Sequence, residues 1–323
     1  MISRRTLATA VAAFALLPLG SAYAQGFPNR TIRIVVPFAA GGTGDVLMRS
    51  LQEPLQRHLG QAIVIENRLG ASGSMGTQNV KSAPADGYSL LQVGNSTVTT
   101  PLMQKAAGYD VTKDFTPVAL VATTPMVFLI NPVVPATNIA QLIAHAKANP
   151  GKLEFSSAGR GSLAHLATES FNQAAGISMV FVPYQGAAQA VTAALAGDVK
   201  VALTTPSDAI NSFVSSGKLK MIAVSTPKRS PLLPDVPAIA ETLPSFNVTA
   251  WFGVAAPAGT PPDVIAKLNE AFNKSIAEPP MQAKLKALGM TPHPGNAAAF
   301  GEIMREDQKL WIRVVQTGKI EAE

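Results

Sequence analysis

The chain has 323 residues, a formal net charge of +6 and no cysteine. The positive excess is spread thinly, without Lys/Arg clusters interleaved with aromatic residues, and so carries no nucleic-acid footprint. The missing cysteines exclude disulfides, thiolate metal sites and a lipidated N-terminal cysteine. At about 100–200 residues per domain, the length points to two domains, each able to bury its own core.

Met1-Ile2-Ser3-Arg4-Arg5 followed by an apolar run from Leu7 to Leu19 and the A-x-A site Ala22-Tyr23-Ala24 reads as an export signal cleaved after Ala24. Ser3-Arg4-Arg5-Thr6-Leu7 also resembles a twin-arginine signal. Removing 24 of the 323 residues leaves 299, and losing Arg4 and Arg5 lowers the charge from +6 to +4. No second apolar stretch has membrane length, so the mature chain is expected to be free in the periplasm.

Strands and helices then alternate. Ile32–Val36 is a continuous apolar strand, broken at Pro37 and followed by a glycine turn. The next helix, Asp45–Leu59, carries Leu47, Leu51, Leu55 and Leu59 on one face, with Pro54 expected to kink or divide it. Ala62–Glu66, a short helix Met75–Ser82 and strand Ser89–Gly94 complete a first unit. A second unit runs from strand Met126–Asn131 through helix Ile139–Asn149, strand Leu153–Ser156, helix Leu163–Ala175, strand Met179–Pro183, helix Ala187–Ala196, strand Val199–Thr204, helix Ile210–Ser216 and strand Met221–Ser225. Residues 226–247 contain five prolines and little periodicity. Strand Val248–Ala255, helix Pro261–Ile276 and a long helix Ala297–Thr317 are expected to pack back on the first unit. Such alternation predicts an α/β fold of two lobes, each a mainly parallel sheet flanked by helices, with crossings near Ala122–Pro125 and Thr249–Phe252. The expected division is 25–124 for the first lobe, 125–248 for the second and 249–323 for the return.

Four polar segments fall at the carboxyl ends of strands, where open α/β sheets bind ligands. They are the turn holding Phe38, Ala40, Gly41 and Gly42; Asn95 and Ser96; Ser157, Ala158, Gly159, Arg160, Gly161 and Ser162; and Thr204, Ser207 and Asp208. A strand running through glycines into a helix start points unpaired N–H groups at an anion. Arg160, between two glycines, has the geometry to grip a distal carboxylate. His165, one turn into its helix, is a candidate for the cleft wall. Asp45 is expected to cap its helix, Arg68 and Asp86 to form structural ion pairs, and Trp251 and Phe252 to lie in the cleft or the core.

Motifs of chemistry fail. Leu47 stands where a dinucleotide fingerprint needs its third glycine, no lysine follows in Walker fashion, and Gly161-Ser162-Leu163-Ala164 is no nucleophile elbow. His58, His145, His165 and His293 make no zinc pair, so neither metal nor cofactor is expected. The rival reading is a hydrolase using Ser162 and His165.

Several stretches occur together in order: I-R-I-V-V-P-F-A-A-G-G-T-G-D-V-L-M-R, E-N-R-L-G-A-S-G-S-M-G, P-A-D-G-Y-S-L-L, F-S-S-A-G-R-G-S-L-A-H-L, V-P-Y-Q-G-A-A-Q-A and W-F-G-V-A-A-P-A-G-T-P. Across essentially the whole mature chain this resembles the Bug-type receptors of the tripartite tricarboxylate transporter family. The resemblance implies a periplasmic solute-binding protein of the Venus-flytrap fold, monomeric, without cofactor. It implies a small mono-, di-, tri- or aromatic carboxylate held by backbone groups and ordered water from Phe38–Gly42 and Ser157–Ser162. The implied partner is a membrane permease, or in some members a sensor protein. Leu69, Ser72, Gln185 and the Thr204–Ser207 stretch depart from the family pattern, so ligand identity is not carried over.

Overall fold

The computed structural model describes residues 26–322; the expected export signal lies outside the described residues. The first sheet is ordered β11 (Thr291–Pro292), β4 (Phe115–Pro125), β10 (Thr249–Pro257), β3 (Ser89–Gly94), β1 (Ile32–Val36), β2 (Ile63–Asn67), and the second β7 (Val180–Pro183), β6 (Glu154–Ser157), β8 (Val201–Thr204), β5 (Val127–Ile130), β9 (Lys220–Val224). In the first, β1 (Ile32–Val36) pairs in parallel with β2 (Ile63–Asn67) and β3 (Ser89–Gly94), linked by α1 (Thr43–Leu59) and α2 (Ser74–Lys81). β1 is buried almost throughout because helices cover both its faces. Helix α1 lays Leu47, Leu51, Leu55 and Leu59 into that core, and passes unbroken through buried Pro54.

The second sheet repeats the scheme. β6 (Glu154–Ser157) pairs in parallel with β7 (Val180–Pro183) and β8 (Val201–Thr204), with α5 (Leu163–Ala175) and α6 (Ala187–Ala196) as the crossovers. Helix α4 (Ile139–Ala148) leads into this set, and α7 (Asp208–Ser215) joins β8 to β9 (Lys220–Val224).

The expectation of mainly parallel sheets needs correction, since both sheets are mixed. β10 (Thr249–Pro257) runs antiparallel to β3 and to β4 (Phe115–Pro125), and β5 (Val127–Ile130) antiparallel to β8 and β9. The cause is the crossing itself. A strand that enters a lobe from its neighbour starts at the cleft and runs away from it, whereas the βαβ strands end there. β4 carries the chain out of the first sheet and β10 brings it back, so the two lie side by side with Thr249 opposite Pro125.

Ser225 joins the crossing segments. Its N–H donates to the Met126 carbonyl at 2.9 Å, its Oγ accepts the Met126 N–H at 2.9 Å, and the same hydroxyl donates to the Val248 carbonyl at 2.5 Å. The final helix, α10 (Ala297–Gly318), follows α8 (Pro262–Ala277), α9 (Pro279–Ala287) and the short β11 (Thr291–Pro292). It does more than return to the first lobe: Trp311 and Phe300 share one apolar cluster with Phe171 and Phe246, and Gln173 Nε2 donates to the Val314 carbonyl at 2.9 Å.

Candidate functional site

Each parallel strand ends at a helix start facing the gap between the sheets. β1 leads to α1, β3 directly to α3 (Asn95–Met103), β6 to α5 and β7 to α6. Helix α3 is absent from the sequence reading because Asn-Ser-Thr-Val-Thr-Thr-Pro is a poor helix former. It is held by burial of Thr97, Val98 and Thr99.

A cavity of about 240 Å³ lies between the lobes. Of the residues expected to bind ligand, Phe38, Asn95, Ser96, Ala158, Ser162 and Thr204 line it. The remaining wall comes from Gly44, Gln92, Gly94, Trp251 and Phe252 on one side and Met126, Leu163, Ala164, Ala187, Ala190, Leu203 and Thr205 on the other, with Ala250 between. No Asp, Glu, Lys, Arg or His is among the lining residues.

With uncharged side chains such as Gln92, Asn95, Ser96, Ser162, Thr204 and Thr205 supplying the side-chain polarity, any preference for an anion comes from backbone. First-turn residues of four helices reach the wall: Gly44, Asn95, Leu163 and Ala187. Three of those helices are preceded by Gly42, Gly94 and Gly186, which have no side chain to cap the orphan N–H groups. α5 differs, since Ser162 Oγ accepts the His165 N–H at 3.3 Å. Each helix start carries roughly half a positive charge, so four of them favour an anion.

The other expected residues lie elsewhere. The Gly41 N–H donates to Asp45 Oδ2 at 2.8 Å and the Gly42 N–H to the Ala39 carbonyl at 3.2 Å, so both are spent inside the turn. Asp45 is the third helical residue and not the cap, which is Gly42. Burial opposes its ionisation, but hydrogen bonds from Arg49, Gly41 and Asn67 outweigh that and hold its pKa below the usual carboxylate range. Gly41, Ser207 and Asp208 line a neighbouring cavity, while Ala40, Ser157, Gly159, Arg160, Gly161 and His165 line neither. Arg68 pairs with Glu66 and Asp86 with Arg30, as structural ion pairs at their turns.

Arg160 is exposed, its guanidinium carbon 5.8 Å from the Phe181 ring centroid. His165 is buried, its ring centroid 3.9 Å from that of Phe181 in a tilted contact, and its Nδ1 accepts the Gly161 N–H at 3.1 Å. Desolvation, with help from the Arg160 charge, pushes its pKa down to about 4. Ser162 Oγ donates to Ser157 Oγ at 3.2 Å, and no bond joins that hydroxyl to the imidazole. His165 thus clamps the glycine turn rather than facing the cleft. Gly161 also meets the first lobe: a Cβ there would come within 2.9 Å of Met103 in α3.

Asp307 of α10 stands behind the first-lobe wall. It accepts Asn95 Nδ2 at 3.1 Å and Trp251 Nε1 at 3.1 Å, while Asn95 Oδ1 accepts the Trp251 N–H at 3.0 Å. Burial pushes the Asp307 carboxyl up to about 7, against the lowering effect of these bonds. Sequence reasoning missed Asp307 because a charge in an amphipathic helix reads as solvent-facing. It missed Gln92 and Gly44 because nothing in the local pattern marks them.

Residues 47–320 match the model of a family described as the tripartite tricarboxylate transporter family receptor, TctC. The chain belongs to the TctC family. It is 34% identical over 299 residues to Protein BugT of Bordetella pertussis, covering 91% of this chain and 90% of the relative. Among solved structures, Rpa4515 of R. palustris with adipate has a TM-score of 0.78 at 32% identity, covering 92% of this chain and all of that one. MatC of Rhodopseudomonas palustris with bound malate has a TM-score of 0.73 at 31% identity, covering 90% of this chain and all of the other. The TctC chain is thus a Bug-type solute-binding receptor with the two-lobed periplasmic-binding fold, and the family is one of receptors. Among the described residues no helix is long and apolar enough to cross a membrane.

Proposed function

We propose that this TctC-family chain is exported to the periplasm, cleaved after Ala24, and there captures a small carboxylate between its lobes for delivery to the permease subunits of a tripartite transporter. The single observation that carries the carboxylate is the wall without charged side chains at the meeting of four helix starts. A cation would find no counter-charge there, and a neutral apolar solute would leave the N–H groups unpaired. Two relatives of the same fold hold adipate and malate, which supports the class of ligand without fixing its identity.

The lobes proposed are 25–124 with 249–323, and 125–248, turning about the segments that meet at Ser225. A ligand favours closure only by its extra affinity for the closed form. A partly buried helix start contributes up to about 2 kcal/mol to holding an anion, whereas micromolar affinity needs about 8 kcal/mol. Direct hydrogen bonds and burial against Leu163, Leu203 and Met126 provide the difference.

Titration calorimetry of the mature protein against a panel of carboxylates tests the reading, with small-angle scattering on each binder. Saturable binding with compaction is expected. Binding of amines or sugars but no acid would sink it, and binding without compaction would remove the closing mechanism.

A further inference from the structure

Gln92 in β3 is 2% exposed and belongs to the cavity wall. Its Nε2 donates to the Val93 carbonyl at 2.9 Å, which fixes which end of the amide is oxygen. Oε1 is left with no hydrogen-bond donor. It faces Gly44 in the first turn of α1, where an added Cβ would come within 2.7 Å of it. The missing side chain at 44 and the glutamine at 92 are therefore a matched pair, and the unused acceptor sits beside the helix start that attracts the anion.

An unmade hydrogen bond at a buried polar atom is destabilising, and a ligand that supplies the donor recovers the loss. Sites of this kind discriminate strongly against analogues lacking the donor, because the protein group is then stranded. Apolar residues fill much of the surrounding wall, and an aliphatic side chain at 92 would have avoided the cost.

We propose that Gln92 is the specificity-determining residue of this receptor and that its ligand is a hydroxy-carboxylate, whose hydroxyl lies close to the carboxylate and donates to Gln92 Oε1. The inference rests on the carboxylate reading of the cavity. The geometry selects a hydroxyl over an ammonium: both are donors, but no acidic side chain lines the cavity and the four helix starts repel a cation. Closeness to the carboxylate follows from Gly44, which belongs both to the helix start and to the contact with Oε1.

The test is calorimetry on the mature protein with matched pairs: malate against succinate, lactate against propionate, mandelate against phenylacetate. At least one pair is expected to bind with the hydroxy acid tenfold or more tighter. Gln92→Leu should reduce that preference to threefold or less, mainly by weakening the hydroxy acid. Gln92→Met, an unbranched replacement, gives the same reading if the leucine variant fails to fold, with melting curves to check both. Equal binding within each pair overturns this inference and leaves the carboxylate reading standing. So does a preference that survives both substitutions, or tighter binding of the 2-amino counterparts aspartate, alanine and phenylglycine. Binding of no acid in this set overturns this inference, and binding of no acid in the wider carboxylate panel overturns the carboxylate reading as well.

Discussion

On the first-lobe side of the cleft, Asn95 and Trp251 are locked from behind by Asp307, and Gln92 is anchored through Val93. On the second-lobe side, Ala158, Leu163, Ala187 and Leu203 offer mostly small or aliphatic surface, with only Ser162, Thr204 and Thr205 polar. Both sides use helix starts, but on the first a carboxylate backs the wall side chains, whereas on the second the bonds among Ser157, Ser162 and His165 hold the glycine turn itself. Under the proposed function the contrast becomes a division of labour: directed hydrogen bonds would hold the ligand on the first lobe, and the second would gain its hold by covering what is bound. Apolar closure tolerates small misfits, whereas directed bonds do not.

The largest effect should come from placing a charge on the covering side. Ala187→Asp puts a carboxylate in the first turn of α6, where it suits the helix but repels the ligand. Affinity for every carboxylate should fall about a hundredfold or more in calorimetry, with no loss of melting temperature. A loss under tenfold would mean that the second lobe lies farther from the charge than the cavity implies.

Asp307 is the next place to break the contrast. Asp307→Ala strands the Trp251 indole N–H, while Asn95 Nδ2 keeps the Thr249 carbonyl at 3.2 Å, and should cost about 1–3 kcal/mol of stability in denaturant titration. pH offers a finer measure. A carboxyl whose folded pKa is raised to about 7 contributes stability that is fully present below its unfolded pKa near 3.8 and is lost as pH rises through 7. Wild type should therefore lose stability relative to Asp307→Asn between pH 4 and pH 8 in thermal melts. Parallel curves would show that the carboxyl ionises freely.

Leu163→Ala trims the covering side by a few methyl groups. It should weaken binding about threefold to tenfold, at roughly 0.8 kcal/mol per lost CH₂ in contact, and equally for polar and apolar acids. A selective loss for hydroxy acids would move directed recognition onto the second lobe. Arg160→Ala should change the affinity of mono- and dicarboxylates alike by less than about twofold, since its side chain is solvated and off the wall. A tenfold loss for dicarboxylates alone would restore Arg160 as a distal clamp.

Much of the architecture was legible in periodicity. Most of the strand and helix order, the glycine turns and the returning strand β10 follow from apolar runs and their breakers. β4 was hidden because its eleven residues include Pro117 and Pro125, whose usual meaning is interruption. Strand direction was illegible for a different reason: it is set by where the chain enters a lobe, which no local pattern encodes. The site was half visible. Segments at strand ends marked Phe38, Asn95, Ser96, Ala158, Ser162 and Thr204, but the same turn chemistry also marked Gly41, Gly42 and His165, which spend their bonds within the turns. Glycine and serine look alike whether a turn binds itself or a ligand. Gln92 and Asp307 depend on contacts with residues 48 and 212 positions away, beyond any motif.

The glycines that precede α1, α3 and α6 have a consequence for descent. The anion sites proposed there are made of main chain, which substitution does not alter so long as the fold persists. A duplicated copy of such a chain keeps its grip on a carboxylate while the side chains around it drift. New ligands then arise by changing a few wall residues, with the Ser225 crossing and the α10 strut untouched. A lineage built this way can diversify its diet quickly, and sequence identity over the whole chain will say little about what each member carries.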